Sequence, residues 1–300
     1  MIPHRIIAFV FACNTLPMLE QQQTINCKGR LVHLGHPVVM GILNVTPDSF
    51  FDGGKYASLD KTLEGAEKML REGATFIDVG GMSSRPGSVE VCEDEELKRV
   101  LPAIEAIEKN FPEALISVDT FRATVAKAAV AAGACMVNDI SAGSMDENMY
   151  GVVATLGVPY VLMHIQGAPA SMQSNPVYED VVREVLDFLI KEVGSLRQLG
   201  VKDIIIDPGF GFGKTVGHNY KLLNDLHVFQ ILGLPVLAGI SRKSMVCKVL
   251  KVSPENALNG TTALHIVALQ QGARILRVHD VKEAMEVIQL YNQISGENEF

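Results

Sequence analysis

Cysteine is scarce in this chain, and the few cysteines present do not cluster. The sequence contains no CxxC pair and no Cys/His group, only five scattered residues: Cys13, Cys27, Cys92, Cys135 and Cys247. An odd number of widely separated cysteines indicates neither a disulfide framework nor a zinc site. We therefore expect the protein to work in a reducing compartment, the cytoplasm.

An excess of positive charge is also missing. The formal net charge is −8, and no basic block offsets it. Sequence-independent binding to nucleic acid and attachment to an anionic membrane both need clustered cations. We therefore expect neither partner, and any anionic ligand must be held by a few local side chains.

Long hydrophobic runs are absent too. No stretch beyond the N-terminus reaches the roughly 18 apolar residues that a membrane span needs. One short apolar run, residues 6–13, follows His4 and Arg5 and has some features of a signal-peptide core. Because that run is short and its basic flank is weak, we interpret residues 1–22 as an N-terminal extension, or as sequence upstream of a true start at Met18.

Short β-branched runs alternate regularly with longer segments of helical spacing. We predict eight strands, at residues 38–43, 76–79, 115–118, 136–140, 160–163, 203–206, 236–238 and 274–278. Helices are predicted near residues 59–72, 93–109, 122–132, 146–156, 178–199, 218–231, 254–271 and 281–294. This alternation is expected of a parallel sheet built from strand–helix units.

The ends of the predicted strands separate a barrel from a doubly wound sheet. An open sheet concentrates its functional residues at one switch point, whereas a barrel draws them from the carboxyl ends of many strands. Here polar or flexible residues follow nearly every strand. We therefore predict a (β/α)₈ TIM barrel as a single domain over residues 23–300, with a short N-terminal β extension at about 23–36 that plugs the barrel floor.

Two long loops rich in turn-forming residues follow the first two strands. The first, GILNVTPDSFFDGG at residues 41–54, begins where a strand ends in Asn44. The second, DVGGMSSRPG at residues 78–87, carries Arg85 beside small hydroxyl residues. A guanidinium in such a loop can bind a phosphate. Each loop alone also fits an ordinary turn, but side by side at the catalytic face of a barrel they resemble lids.

Acidic and amide residues end the strands that follow. SVDTFR (117–122), NDISAG (138–143) and DPGFGFGKT (207–215) supply Asp119, Asn138 and Asp207. A carboxylate at a buried strand end is costly unless donors pair with it, and a ring with adjacent N–H and amino groups offers two donors to Asp207. GFGFGK does not have the spacing of a phosphate loop. We interpret Asp139 and Asp203 as helix caps or surface turns.

Cationic and donor side chains end the last two strands. GISRKS (239–244) and RVHD (277–280) bring Lys243, Arg277 and His279 to the same rim as the acids. In a chain of net charge −8, this convergence indicates a specific anion site. Ser244 begins a predicted helix and can add a hydroxyl and N–H groups for a carboxylate. We interpret His164, in MHIQG, mainly as a structural hydrogen-bonding residue.

Together these loops resemble those of the dihydropteroate synthase family over about residues 24–294. The resemblance implies a pterin bound by Asp119, Asn138, Asp207, Lys243 and Arg277. It implies a pyrophosphate near Asn44, Ser84, Arg85, Arg277 and His279, with Mg²⁺ touching Asn44. It places p-aminobenzoate near Phe50, Ser84, Pro86, Phe212, Lys243 and Ser244. The residues that it implies for catalysis are Asn44, Ser84, Arg85, Lys243, Arg277 and His279.

The resemblance also implies the reaction and the partners. The reaction joins a dihydropterin pyrophosphate to p-aminobenzoate, and Mg²⁺-assisted departure of pyrophosphate precedes attack by the amine. Sulfonamides are the expected inhibitors, and a homodimer is the expected assembly. The second loop departs from the family pattern, because Met82 stands where Glu is usual, which puts the closure of that loop in doubt.

Two other functions stay open from the sequence. A pterin-dependent methyltransferase shares the barrel and the Asp/Asn/Asp pterin pocket but needs no diphosphate site, and the loop with Arg85 argues against it. A catalytically silent pterin-binding paralogue is the second alternative. Loss of Asn44, Arg85 or Lys243 would favour it, and all three are present.

Overall fold

A computed structural model describes residues 22–45, 54–82, 91–167, 172 and 176–296. The strands within these ranges are β1 (Thr24–Cys27), β2 (Arg30–His33), β3 (Val38–Asn44), β4 (Phe76–Gly80), β5 (Leu115–Asp119), β6 (Met136–Asp139), β7 (Tyr160–Met163), β8 (Ile204–Asp207), β9 (Val236–Ala238) and β10 (Ala273–Val278). Strands β3 to β10 form a closed parallel barrel in chain order, with β10 beside β3. The predicted TIM barrel is therefore confirmed.

Helices connect the strands and surround the barrel. In the described part of the chain they are α1 (Gly54–Arg71), α2 (Glu93–Asn110), α3 (Ala123–Ala132), α4 (Met149–Leu156), α5 (Val181–Gln198), α6 (Val216–Asn224), α7 (Ser244–Leu250), α8 (Leu258–Gln270) and α9 (Val281–Ser295). Buried strand side chains such as Val79 and Val118 form one hydrophobic core with inward helix residues such as Ile104. None of the described helices is long and apolar enough to cross a bilayer.

The N-terminal hairpin covers the floor of the barrel, as predicted. Strands β1 and β2 pair antiparallel. Ile25 and Leu34 of this segment join a buried cluster with residues at the amino ends of the barrel strands, among them Phe76 and Met136. This end of the barrel is therefore filled with apolar side chains, and residues 1–21 lie outside the described part.

The register of the parallel strands sets the carboxyl ends side by side. Asn44 is paired with Gly80, Gly80 with Asp119, and Asp119 with Asn138. Farther round the barrel, Met163 at the end of β7 is paired with Asp207 at the end of β8. Polar residues that are far apart in the chain thus meet at one mouth of the barrel.

The predicted strands agree with the observed ones to within a residue or so, whereas several helices differ. The helix predicted at 59–72 begins at Gly54, and those predicted at 146–156 and 178–199 begin at Met149 and Val181. The predicted helix at 218–231 is an α-helix that ends at Asn224, followed by a 3₁₀ segment, Leu226–Leu232. The helix predicted at 254–271 begins as a 3₁₀ turn, Pro254–Asn256, and becomes α-helical at Leu258. Proline is tolerated in the first turn of a helix, because the N–H group that it lacks would have no partner within the helix there.

Candidate active site

Arg277 binds two carboxylates across the barrel mouth. Its Nε donates to Asp78 Oδ2 at 2.7 Å, and its Nη2 donates to Asp119 Oδ2 at 2.6 Å. Asn138 Nδ2 donates to the same oxygen of Asp78 at 2.9 Å. Four side chains from β4, β5, β6 and β10 therefore form one connected polar network.

Burial and charge oppose each other in this network. Burial alone would lower the pKa of Arg277, but Asp78 and Asp119 raise it, so the guanidinium stays charged. Burial raises the pKa of Asp119, and Arg277 counteracts that rise. The other oxygen of Asp78, Oδ1, is buried and has no hydrogen-bond partner among the described residues. An unpaired buried acceptor costs free energy, so the hydrogen bond from the adjacent guanidinium helps to stabilise the buried Asp78 carboxylate.

Asp207 and Lys243 form the opposite side of the mouth. Gly209 N donates to Asp207 Oδ1 at 2.7 Å, and Lys243 Nζ donates to the Phe210 carbonyl. A methyl group on Gly239 would lie 3.7 Å from Lys243 Nζ and 3.9 Å from Asp207 Oδ2, so the glycine sits between the two charges. Burial raises the pKa of Asp207, which Lys243 opposes. Burial lowers the pKa of Lys243 to about 8.

An apolar wall adjoins these charges. Lys243 Nζ lies 4.6 Å from the centroid of the Phe212 ring, a cation–π distance. Phe212 packs in a small buried cluster with Phe121, Ile140, Met163 and Met172. The Phe212 ring, which is 7% exposed, thus lies next to a cation at the mouth.

Three further predicted residues lie at the rim. His279 Nδ1 is 3.1 Å from Ser241 Oγ, and the His279 backbone N–H donates to the same oxygen at 3.2 Å. Ser244 is exposed at the first residue of α7, and Asn44 is exposed at the end of β3. A Cβ on Gly80 would lie 3.6 Å from Asn44 Oδ1 and 3.7 Å from Asp119 Oδ2, which places the amide close to the polar network.

The structure brings together most of the residues predicted from sequence. Five of them converge at the mouth: Asp119, Asn138, Asp207, Lys243 and Arg277. Phe50, Ser84, Arg85 and Pro86 lie outside the described residues. Asp78 was missed as a site residue. It stood among the polar strand ends, in DVGG, but nothing in the sequence indicated that it would pair with Arg277.

Other expectations are refined by the contacts. His164 is a structural hydrogen-bonding residue, since its Nδ1 lies 2.9 Å from Lys214 Nζ. The surface interpretation of Asp139 was wrong: this carboxylate is fully buried and accepts from Ser141, Gly143 and Tyr160. Its several donors offset the cost of burial. Asp203 accepts from Gln22 Nε2 at 2.7 Å and from Asn26 N at 3.2 Å, so it ties the N-terminal segment to the barrel.

Comparison with known proteins defines the class of this barrel. A family model described as pterin binding enzyme matches residues 40–279. The dihydropteroate synthase of Escherichia coli (strain K12) is 46% identical over 265 residues, which cover 88% of this chain and 93% of that relative. The chain is thus a pterin-binding enzyme by family.

Solved structures narrow the class. A Yersinia pestis dihydropteroate synthase with a sulfonamide drug complex matches with a TM-score of 0.86 and 42% identity, covering 91% of this chain and 99% of that one. A Xanthomonas albilineans dihydropteroate synthase with 4-aminobenzoic acid matches with a TM-score of 0.85 and 41% identity, covering 91% and 98%. This chain belongs to the dihydropteroate synthase family.

Proposed function

We propose that this chain condenses 6-hydroxymethyl-7,8-dihydropterin pyrophosphate with p-aminobenzoate, giving 7,8-dihydropteroate and pyrophosphate. The observation that carries the proposal is the barrel mouth itself. It holds buried hydrogen-bond acceptors, two cations and an aromatic surface within one site: Asp119, Asn138, Asp207, Lys243, Arg277 and Phe212. Each of these groups matches one part of the two substrates.

The acceptors match the pterin ring. A pterin carries an N–H and an exocyclic amino group on one edge, and a carboxylate can accept from both. Asp207 is 5% exposed and Asn138 is 4% exposed, so ligand donors would replace water there. Lys243 and Arg277 donate to the ring's acceptors on either side. We assign the pterin edge to Asp207, with Asp119 and Asn138 on the opposite part of the ring.

The rim matches the diphosphate. Arg277 is the last residue but one of β10, His279 follows directly after that strand, and Asn44 is the last residue of β3. Ser84 and Arg85 would join them from the second loop. In the reaction the bond from the pterin methylene to oxygen breaks, and pyrophosphate leaves with the electron pair. Preorganised cations stabilise that developing charge.

We place Mg²⁺ at the rim, where the diphosphate would be one of its ligands. The described residues contain no cluster of three or more His, Cys, Asp or Glu that could hold a metal ion. Magnesium usually keeps several waters and binds few protein ligands when substrate phosphates are present, so the exposed Asn44 amide oxygen could serve as its protein ligand. When bound, the ion would neutralise charge on the leaving pyrophosphate.

The aromatic surface matches p-aminobenzoate. Its ring would pack on Phe212, near Lys243, and its carboxylate would lie toward Ser244, with Phe50, Ser84 and Pro86 completing the pocket. The amine nitrogen attacks the methylene carbon and then loses a proton to solvent. An aniline nitrogen is unprotonated near neutral pH, so no general base is needed. Orientation of the two substrates and exclusion of water contribute the remaining rate enhancement.

A pyrophosphate-release assay tests the proposal. The pterin pyrophosphate, Mg²⁺ and p-aminobenzoate are omitted in turn, and release is expected only with all three. Release that does not depend on p-aminobenzoate would contradict the condensation. Methyl transfer from a methylated pterin, without pyrophosphate release, would favour the methyltransferase alternative.

The assembly and the inhibitors follow from the same proposal. We expect a homodimer that covers exposed apolar side chains of α7 and α9, four of which are 49–68% exposed: Val249, Leu250, Leu290 and Ile294. Sedimentation should then give twice the 32.5 kDa chain mass. We expect sulfonamides to compete with p-aminobenzoate, and the free thiols of the described cysteines fit a reducing cytoplasm.

A further inference from the structure

Lys214 is buried behind the active site, and its ammonium group contacts only neutral groups among the described residues. Lys214 is 2% exposed. Its Nζ donates to the carbonyls of Gly209 at 2.9 Å and Phe212 at 3.0 Å, and it lies 2.9 Å from His164 Nδ1. The His164 carbonyl, at 3.4 Å, is a weaker fourth acceptor. An ammonium has three N–H donors, so all of them are used inside the protein.

These contacts join two loops that meet backbone to backbone. Gly209 has a φ of +73°, and a Cβ there would lie 1.8 Å from the His164 carbonyl oxygen. A Cβ on Gly213 would lie 2.2 Å from the Gln166 carbonyl oxygen. The 207–213 turn therefore presses against the 164–166 segment, and the Lys214 side chain links the two.

The same turn carries three parts of the active site. Its first residue is Asp207, whose carboxylate accepts from the Gly209 N–H at 2.7 Å. Its Phe210 carbonyl accepts from Lys243 Nζ. Its Phe212 forms the aromatic surface, 4.6 Å from the same Lys243 nitrogen. Any shift of the turn would therefore move the pterin-binding carboxylate and the aromatic ring together.

The charge of Lys214 is balanced by Asp207, although the two groups do not share a hydrogen bond. Burial lowers the pKa of Lys214 to about 7, Asp207 opposes that change and Lys243 adds to it. Burial, and then Lys214, lowers the pKa of His164 to about 3, so His164 is neutral and its Nδ1 accepts a hydrogen bond. The cations that face Asp207 are Lys243, Arg277 and Lys214.

We propose that Lys214 is a positioning residue of the active site, which holds the 207–213 turn against the 164–166 segment and thereby places the Asp207 carboxylate and the Phe212 ring. The proposal rests on the function proposed for those two residues. Lys214 does not touch substrate. Its role differs from that of a lysine in a phosphate loop, because carbonyls of the turn face its ammonium group.

The test compares three variants. Lys214→Met removes the charge and all three donors at similar length, and Lys214→Arg keeps the charge but changes the geometry of the donors. Lys221→Met is the matched control, since Lys221 lies on the surface of the next helix and pairs with Asp225. Each is measured by steady-state kinetics over a range of pH and by hydrogen exchange at residues 207–213.

Lys214→Met should raise KM for both substrates by at least about tenfold, because misplaced hydrogen-bonding groups typically cost that much affinity. It should also move the acidic limb of pterin binding to higher pH, since Asp207 loses a neighbouring cation. Lys214→Arg should raise both KM values with less movement of that limb. Lys221→Met should match wild type.

Hydrogen exchange separates this proposal from the proposed function. In Lys214→Met the amides of Gly209 and Phe212 should exchange faster without any substrate present. If exchange quickens but the wild type releases no pyrophosphate, the function is wrong and the role of Lys214 in the turn stands. Unchanged exchange and KM values in folded Lys214→Met would overturn the proposal, as would a lower Tm with unaltered KM and pH profile. If Lys214→Met does not fold, unchanged KM values in Lys214→Arg would overturn it equally.

Discussion

At the scale of single residues, the site depends on Arg277 and its two carboxylates. One guanidinium joins Asp78 and Asp119 at 2.7 and 2.6 Å. Arginine is suited to this place, because its planar fork stays charged and donates in fixed directions. The orientation of Arg277 toward a bound pterin is therefore set before any ligand arrives.

Asp78→Asn should weaken pterin binding although Asp78 was not predicted to touch the ligand. The change removes one negative partner of Arg277 and puts a buried amide N–H group where the Asp78 carboxylate has only acceptors. Hydrogen bonds to charged groups contribute about 1.5–3 kcal/mol, so pterin affinity should fall by at least about tenfold. Calorimetry with the pterin substrate measures this, and Asp187→Asn, on the exposed face of α5, is the control. Equal affinity in both variants would show that Asp78 does not orient Arg277.

Lys243 should give the reaction an alkaline limit. Its pKa is lowered to about 8 by burial, and Asp207, Arg277 and Asp119 are the charged groups that face it. As pH rises through that value, Lys243 loses its proton and its attraction for the substrates. We expect kcat/KM for the pterin pyrophosphate to decline with a step near pH 8, and that step to disappear in Lys243→Arg, which stays charged. A separate step near pH 7 would belong to Lys214, whose pKa burial lowers to about 7. A decline of the same shape in Lys243→Arg would assign it to another group.

At the scale of structural elements, the glycine-rich turn after β8 leaves no room for a side chain at Gly209. Gly209→Ala forces a left-handed φ on alanine and drives its methyl group into the His164 carbonyl. Strain of this kind costs about 1–3 kcal/mol, and the clash adds to it, so both Tm and activity should fall. Gly151→Ala is the opposite case: Gly151 is helical, with open space around its Cβ position, and the change should stabilise by roughly 0.5–1 kcal/mol. Similar melting temperatures for the two variants would contradict this account.

The elements were largely predictable from sequence, whereas the pairing of side chains was not. β-branched runs predict where the strands lie, and the polar residues that follow them predict that Asp119, Asn138 and Asp207 share one mouth. Local sequence pattern is sufficient for both predictions. The bond from Arg277 to Asp78 joins residues 199 positions apart, and no local pattern specifies it. The burial of Lys214 was equally hidden, since a lysine after a glycine-rich turn is usually solvated.

At the scale of the whole molecule, two buried histidines should make the fold sensitive to acid. Burial lowers the pKa of His164 to about 3 and that of His265 to about 4. Both values lie below the ordinary value, about 6.5, that applies in the unfolded chain. The unfolded state therefore binds more protons at mildly acid pH, so stability is lost as pH falls from about 6.5 toward about 4.

His265→Leu isolates one part of this effect. Neither ring nitrogen of His265 has a hydrogen-bond partner among the described residues, so leucine removes the titration without breaking a described bond. We expect the difference in unfolding free energy between pH 7 and pH 4.5 to shrink, by up to about 1.4 kcal/mol for each pH unit between the two pKa values. Urea unfolding at both pH values measures it, with His33→Gln, at an exposed position, as the control. An unchanged difference would mean that His265 is already charged in the fold.

In the described part of the chain, the filled floor of the barrel leaves the mouth as the open end. Ile25 and Leu34 cover the far end over the apolar side chains of the strands, so we expect both substrates and both products to pass through the mouth. The pterin acceptors are almost completely buried, whereas Ser244 is exposed at the rim. In a site that is open at one end, the substrate that binds deeper must enter first. A p-aminobenzoate that binds early would block the path of the pterin, and the pterin end of the joined product must leave last.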